Sequence, residues 1–308
     1  MTLAPEIKAF LEASAKAGLP QVWQAPLDVI RRNTQARPAL AGPAEPILDT
    51  ENRFIPGPTA DLPIRIYRPT NNPSAPAIVY FHGGGWVLNF LDIYDASLTT
   101  LANRTGATII SVNYQKAPEH PFPIPFDDCF ATLEWVLANA ELLKINPECV
   151  AVAGDSAGAN LASAVALKAR DQKIELAYQL LIYPCNDRNF ESFSYIKNST
   201  GYGLSTQAMQ WFWDQYLQGS SHDNNPYAIP ARAKSFKDVA TAIILTAQYD
   251  PLLSDGEQYA ELLKAHEVEV RYREFAGMIH GFFTNLAVTP TAMDAIAFVA
   301  EQIEEITQ

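Results

Sequence analysis

An apolar run, Cys149 to Ala153, leads directly into Gly154-Asp155-Ser156-Ala157-Gly158, and an Ala-rich stretch, Asn160 to Arg170, follows. The run reads as a buried strand and the Ala-rich stretch as a helix, so the residues between them must form a tight strand-to-helix turn. Such a turn holds its serine in a strained backbone, with the hydroxyl exposed as a nucleophile. The residues two before and two after the serine come into contact, and glycine avoids the clash. The helix start aims free amides at whatever sits beside Ser156. Alone, the pattern is weak: ordinary Gly and Ser frequencies produce G-x-S-x-G by chance in about one chain in ten. A glycine-rich turn with Ser156 as a plain N-cap also accounts for it. The case rests on partners elsewhere in the chain.

The same rhythm of strand and helix extends along most of the sequence. Strands are expected near Ile47 to Phe54 and over Ile64 to Tyr67, Ala77 to Phe81, Thr108 to Tyr114, Val150 to Ala153, Gln179 to Tyr183, Ala242 to Ala247 and Glu267 to Phe275. Helices are expected over Tyr94 to Arg104, Asp127 to Asn139, Ala157 to Ala169, Asp255 to His266 and Thr291 to Ile306. Runs such as Ala-Ile-Val-Tyr-Phe are continuously apolar, as strands covered on both faces must be. The alternation implies an α/β class, with a mostly parallel sheet flanked by helices. Two helical stretches open the chain, one with Ile7, Phe10 and Leu11 on a face and one with Val22, Trp23, Leu27 and Ile30. Asn186 to Ala231 breaks the rhythm with Asn, Ser, Gly and Asp clusters around an aromatic helical piece, Gln207 to Leu217. An insertion this long inside a domain is usually functional. Residues 1–45 are expected to join it as a cap over a catalytic domain, 46–308, with the insertion at about 186–231.

A serine hydroxyl needs a base, and histidine is the usual one. The chain has five: His82, His120, His222, His266 and His280. In strand-turn-helix hydrolases the order is serine, acid, histidine, which leaves the last three. His222 lies in the polar loop Ser220 to Asn225, and His266 ends a helix, where it faces solvent or the helix C-terminal dipole. His280 follows the last strand by five positions, on a loop with flanking glycines, where parallel sheets present catalytic groups. Asp250, directly after the Ala242 to Tyr249 segment, is the acid that would orient it. Its rival, Asp255, suits the N-terminus of the next helix. His82-Gly83-Gly84-Gly85-Trp86 follows the Ala77 to Phe81 strand. Three glycines expose bare amides that can reach a developing oxyanion. Gly83, Gly84, Gly85 and Ala157 are the candidate hole, with the amides of Gly84, Gly85 and Ala157 as its donors, and His82 anchors the loop.

With these pieces in order, the chain resembles the hormone-sensitive lipase family of α/β-hydrolases, which includes many bacterial carboxylesterases. The residues that carry the resemblance are His82 to Trp86, Tyr114 with Ala117-Pro118-Glu119-His120-Pro121, Gly154 to Leu161, Asp250-Pro251-Leu252 and His280-Gly281-Phe282. It implies an α/β-hydrolase fold with an eight-stranded, mostly parallel sheet and a helical cap. It also implies cleavage of short- to medium-chain carboxylic esters, with the oxyanion amides on Gly84, Gly85 and Ala157. The chain departs from the family pattern at Gln115-Lys116, where Arg-Leu is usual, at Asn89-Phe90, and at Leu253-Ser254-Asp255-Gly256.

Trp86, Phe90, Trp211, Phe212, Phe282 and Phe283 are candidates to line the substrate pocket, with ordinary packing as the alternative for each. Glu119 and His120 suit a structural ion pair better than catalysis. The net charge, 22 basic minus 34 acidic residues or −12, and the lack of a basic run argue against nucleic acid. No apolar stretch reaches the length of a membrane span. Three scattered cysteines, Cys129, Cys149 and Cys185, suggest free thiols and a cytoplasmic setting. No metal and no cofactor is expected, the partner is a small ester, and a homodimer is compatible with the reading. The alternatives are an amidase or deacetylase using the same machinery, and a non-catalytic ligand-binding relative. Presence of His280 speaks against the second.

Overall fold

The structure, a computed structural model, describes residues 2–219 and 221–307. Met1, Ser220 and Gln308, which fall in the segments and the loop named above, lie outside the described residues. Eight strands form one sheet: β1 Asp49–Pro56, β2 Asp61–Arg68, β3 Ala75–Phe81, β4 Thr108–Val112, β5 Ile145–Asp155, β6 Gln179–Ile182, β7 Ala242–Tyr249 and β8 Val270–Ile279. Their spatial order is β1-β2-β4-β3-β5-β6-β7-β8. Strands β3 to β8 run parallel, while β2 is antiparallel to both β1 and β4. Parallel strands need crossovers, and helices supply them. The helices are α1 Pro5–Ala17, α2 Leu27–Asn33, α3 Pro38–Ala41, α4 Asp95–Thr105, α5 Ile124–Ala138, α6 Ala140–Leu143, α7 Ala157–Asp171, α8 Phe193–Lys197, α9 Thr206–Leu217, α10 Leu253–Ala265 and α11 Thr291–Thr307.

The central strands are buried on both faces, which is why their sequences do not alternate. Val79, Phe81, Ile110 and Val112 belong to one core with residues of α5, α7 and α10. Ile78, Tyr80, Ile109 and Leu245 belong to a second core with Leu98 of α4 and Ile296 and Val299 of α11. Successive side chains of each strand point to opposite faces, so one run feeds both layers.

Three boundaries differ from the expectation. Strand β8 continues through Ile279 and delivers His280 directly, without a five-residue lead; Tyr249 pairs with Ile279 across a register shift. The second N-terminal helix is only Leu27–Asn33, because Pro26 precedes it and cannot extend it backwards. Helix α5 begins at Ile124 rather than Asp127, with Pro125 in its first turn, where a missing amide costs nothing.

The N-terminal segment and the 186–231 insertion reach the loops at the carboxyl ends of the strands. The Ala4 amide donates to Gly277 O at 3.2 Å, and Arg31 of α2 donates to Val87 O and Ala117 O. From the insertion, Gln218 Nε2 donates to Pro118 O at 2.8 Å, while Tyr216 O accepts from the Phe122 amide at 2.8 Å. Helix α9 starts cleanly, with the Ser205 hydroxyl accepting from the Ala208 amide.

Candidate active site

Ser156 stands between the end of β5 and the start of α7 with φ 55° and ψ −122°, a backbone conformation that a non-glycine residue rarely adopts. Its amide donates to Ile182 O at 2.8 Å, which ties the turn to the next strand. The crowding around it is extreme. A Cβ on Gly154 would sit 2.3 Å from the Gly158 carbonyl, and a Cβ on Gly158 would sit 1.9 Å from Phe81 O. Neither position tolerates a side chain, as the strand-to-helix reading requires.

The structure brings Ser156, His280 and Asp250 together from three separate strands. Ser156 Oγ lies 2.9 Å from His280 Nε2, and His280 Nδ1 lies 2.7 Å from Asp250 Oδ2. A carboxylate only accepts, so Asp250 holds the imidazole proton on Nδ1 and leaves Nε2 to accept from the serine hydroxyl. Asp250 is fully buried, and its other oxygen accepts from the Leu252 amide at 2.8 Å. Asp255 lies in the first turn of α10, as expected for the rival, but it is buried rather than solvated. Desolvation raises its carboxyl above the usual carboxylate range.

Sequence reasoning missed the residues that brace the Asp250 turn. Asn198 Nδ2 donates to Asp250 O at 3.0 Å, and the Ser194 hydroxyl bonds to Pro251 O. Both belong to α8 or its cap, so the insertion reaches under the acid. No local motif signals this, because the partners lie more than fifty residues apart.

The glycine loop has a second missed anchor, Asp155. Its Oδ1 accepts from the Gly83 amide at 2.8 Å and from Tyr80 OH at 2.9 Å, and its Oδ2 from Tyr94 OH at 3.3 Å. Burial raises this carboxyl; the hydrogen bonds from Tyr80 and Gly83 pull the other way. The amide of Gly83 is therefore committed to Asp155, which corrects its inclusion among the candidate oxyanion residues. The amides of Gly84, Gly85 and Ala157 have no protein acceptor among the described residues. Gly84 and Gly85 adopt φ 114° and 61°, left-handed values that a third anchor, Asn89, helps hold through a 3.2 Å bond from its Nδ2 to Gly83 O. His82 anchors the loop as expected: its ring is buried, stacks 4.5 Å from Tyr114 and lies 2.8 Å from Gly83 O. Burial lowers its pKa to about 3, which keeps it neutral.

The aromatic candidates divide. Trp86 is fully buried and stacks on Tyr216 at 4.3 Å; Phe282 and Phe283 are also fully buried, Phe282 against Phe275 at 5.1 Å. These three are core residues, packed into the two hydrophobic clusters that flank the sheet. Phe212 packs against the glycine loop so closely that a Cβ on Gly85 would lie 2.2 Å from its ring. Phe90 and Trp211 keep partly exposed surface. Glu119 makes its ion pair with Arg31 of α2, at 2.7 Å, not with its neighbour His120. Among the remaining histidines, His266 caps its helix through Leu262 O at 2.9 Å, and His222 packs against Phe122. The cysteines are free.

A family described by the α/β-hydrolase fold matches residues 78–284, which spans every element of the site. The chain belongs to the hormone-sensitive lipase family of α/β-hydrolases. An arylesterase of Saccharolobus solfataricus is 33% identical over 283 residues, covering 92% of each chain. A carboxylesterase of Mycobacterium tuberculosis is 38% identical over 240 residues, covering 76% of this chain and 75% of that one. A solved hyperthermophilic esterase from the archaeon Pyrobaculum calidifontis superposes with a TM-score of 0.94 at 34% identity, covering 100% of this chain and 99% of its own. Among the described residues of this family member, no helix is long and apolar enough to cross a membrane.

Proposed function

We propose that this hydrolase is a serine carboxylesterase in which Ser156 is the nucleophile, His280 the base and Asp250 the group that orients it. The observation that carries the reading is the unbroken line of two short hydrogen bonds, 2.9 Å and 2.7 Å, from Ser156 through His280 to Asp250. As Ser156 Oγ bonds to the ester carbonyl carbon, its proton moves to His280 Nε2. The carbonyl oxygen becomes an oxyanion, and the amides of Gly84, Gly85 and Ala157 receive it. Collapse breaks the bond to the alcohol, which takes the proton from His280 and leaves an acyl-enzyme. Water, deprotonated by the same histidine, then releases the acid and restores Ser156. The names of the esterase relatives support this bond type.

The N-terminal residues 1–45 and the insertion at about 186–231 form the cap, a reading supported by their hydrogen bonds to the site loops. Phe212 closes over Gly85, and Phe90 and Trp211 are the two aromatic candidates that keep partly exposed surface for a substrate. The short- to medium-chain acyl preference that the family resemblance implies is part of the same reading. Free cysteines suit a reducing, cytoplasmic compartment.

Hydrolysis of p-nitrophenyl butyrate by wild type and Ser156→Ala tests the nucleophile. The variant is expected to lose roughly 10⁵-fold in kcat; equal rates in the two proteins would refute the reading. An acyl series from acetate to laurate, run beside matched amides, tests chain length and bond type. Amides outperforming esters in kcat/KM would move the function to the amidase alternative.

A further inference from the structure

Four neighbouring parallel strands, in the spatial order β5-β6-β7-β8, end at the site. The first residue beyond β5 is Ser156, beyond β7 Asp250 and beyond β8 His280. The first residue beyond β6 is Tyr183. It is fully buried, and its ring centre lies 4.6 Å from that of His280, with the planes tilted by 56°. That separation is within the range of a packed aromatic pair. Tyr183 has φ 38°, in the left-handed region that a bulky residue rarely enters. Such an outlier persists where the surroundings hold it, and it points toward a function. Here the Tyr183 amide donates to Leu245 O at 2.6 Å, which ties it to β7, the strand that carries Asp250. The same ring meets Phe282 at 5.9 Å, so it packs against the residues on both sides of Gly281. Gly281 has φ 84°, and nothing lies within 4 Å of the place a Cβ would take.

We propose that Tyr183 is a positioning residue for the reaction, its ring being the wall that fixes the tilt of the His280 imidazole. The inference rests on the esterase reading. A hydrogen bond holds one atom of a ring and lets the rest rock about it. At rest the imidazole is held at both nitrogens, by Asp250 and by Ser156. Once Ser156 Oγ is acylated it has no proton to donate, and the tether at Nε2 is gone. Asp250 then holds the ring at its edge and Tyr183 holds it at its face, while Nε2 takes the proton of the attacking water. Both half-reactions need the same ring orientation, and a misplacement of about 1 Å can cost about 10²-fold in rate.

Steady-state kinetics with p-nitrophenyl butyrate compare wild type, Tyr183→Leu and Tyr183→Phe. The Leu variant removes the aromatic face; the Phe variant keeps it and removes the hydroxyl. In the Leu variant kcat and kcat/KM are expected to fall together by about tenfold or more, with KM little changed, because both half-reactions lose the oriented base. The Phe variant recovers most of that loss. Proton NMR reads the ring without substrate: the His280 Nδ1 proton, assigned by its loss in His280→Ala, is sharp in wild type and Tyr183→Phe and broad in Tyr183→Leu. A Leu variant with the wild-type kcat, a Phe variant as slow as the Leu variant, or a change confined to KM overturns the proposal. Tyr183→Met replaces the Leu variant if the latter does not fold. A wild type that does not cleave the ester defeats the esterase reading; the resonance then decides, and equal line widths in wild type and Tyr183→Leu overturn the proposal.

Discussion

Asp250 and Asp155 are both buried carboxylates near Ser156, yet one is bonded to the His280 ring and the other to the glycine loop. Asp250 has one short bond to a side chain, His280 Nδ1 at 2.7 Å, with a backbone amide on its other oxygen. Asp155 gathers three donors, the Gly83 amide, Tyr80 OH and Tyr94 OH, and touches no catalytic side chain by hydrogen bond. On the Asp250 side, the proton path depends on the orientation of a single ring. On the Asp155 side, a hydrogen-bonded net holds backbone amides in place. A hydrolase site of this kind therefore needs two kinds of rigidity, one for a ring and one for a loop.

Asp250→Asn attacks the first kind. An amide can donate to His280 Nδ1 and stabilise the wrong tautomer, so kcat for p-nitrophenyl butyrate is expected to fall about 10⁴-fold with the fold intact. A loss under tenfold would break the contrast, since the acid would then do no more than a loop anchor. Asp155→Asn attacks the second kind. It keeps an acceptor but places an NH₂ among three donors, so the Gly84 and Gly85 amides lose their position. A fall in kcat of about 10²-fold, with KM little changed, is expected, comparable to loss of one oxyanion donor. A fall as large as that of Asp250→Asn would show that the two carboxylates act on the same step.

The smallest effect concerns stability. His82 is neutral in the fold, with its pKa lowered from 6.5 to about 3, whereas the unfolded chain takes up a proton near 6.5. The native state binds fewer protons in this window, so its stability is complete above about pH 6.5 and declines as pH falls toward 3. The contribution is roughly 1 kcal/mol per pH unit. Urea unfolding of wild type and His82→Gln at pH 7 and pH 4.5 measures it; the wild type should lose about 2 kcal/mol more than the variant. Parallel losses would remove His82 from the account of the loop.

Much of this arrangement was legible in the chain. The apolar strands, the Gly154 to Gly158 turn, the triple glycine, Asp250 and His280 announce themselves because each is a local pattern whose geometry follows from neighbouring residues. The anchors did not. Asp155 sits inside the motif as its variable position, and nothing nearby in sequence says that its carboxylate reaches back more than seventy residues to Gly83. Asn198 and Ser194 looked like ordinary polar residues of a loop. Trp86, Phe282 and Phe283 stayed open between pocket and core because an aromatic residue beside a catalytic motif has the same sequence signature in either place.

Strand and turn chemistry act over a few residues, so the layered α/β architecture, the strained serine turn and the chain order of Ser156, Asp250 and His280 were already written in the chain. Which glycine amides stay free and which aromatics are covered emerged only from the folded arrangement. Those facts depend on which distant side chains arrive at the same place, and burial and hydrogen-bond partners are properties of that meeting rather than of any segment.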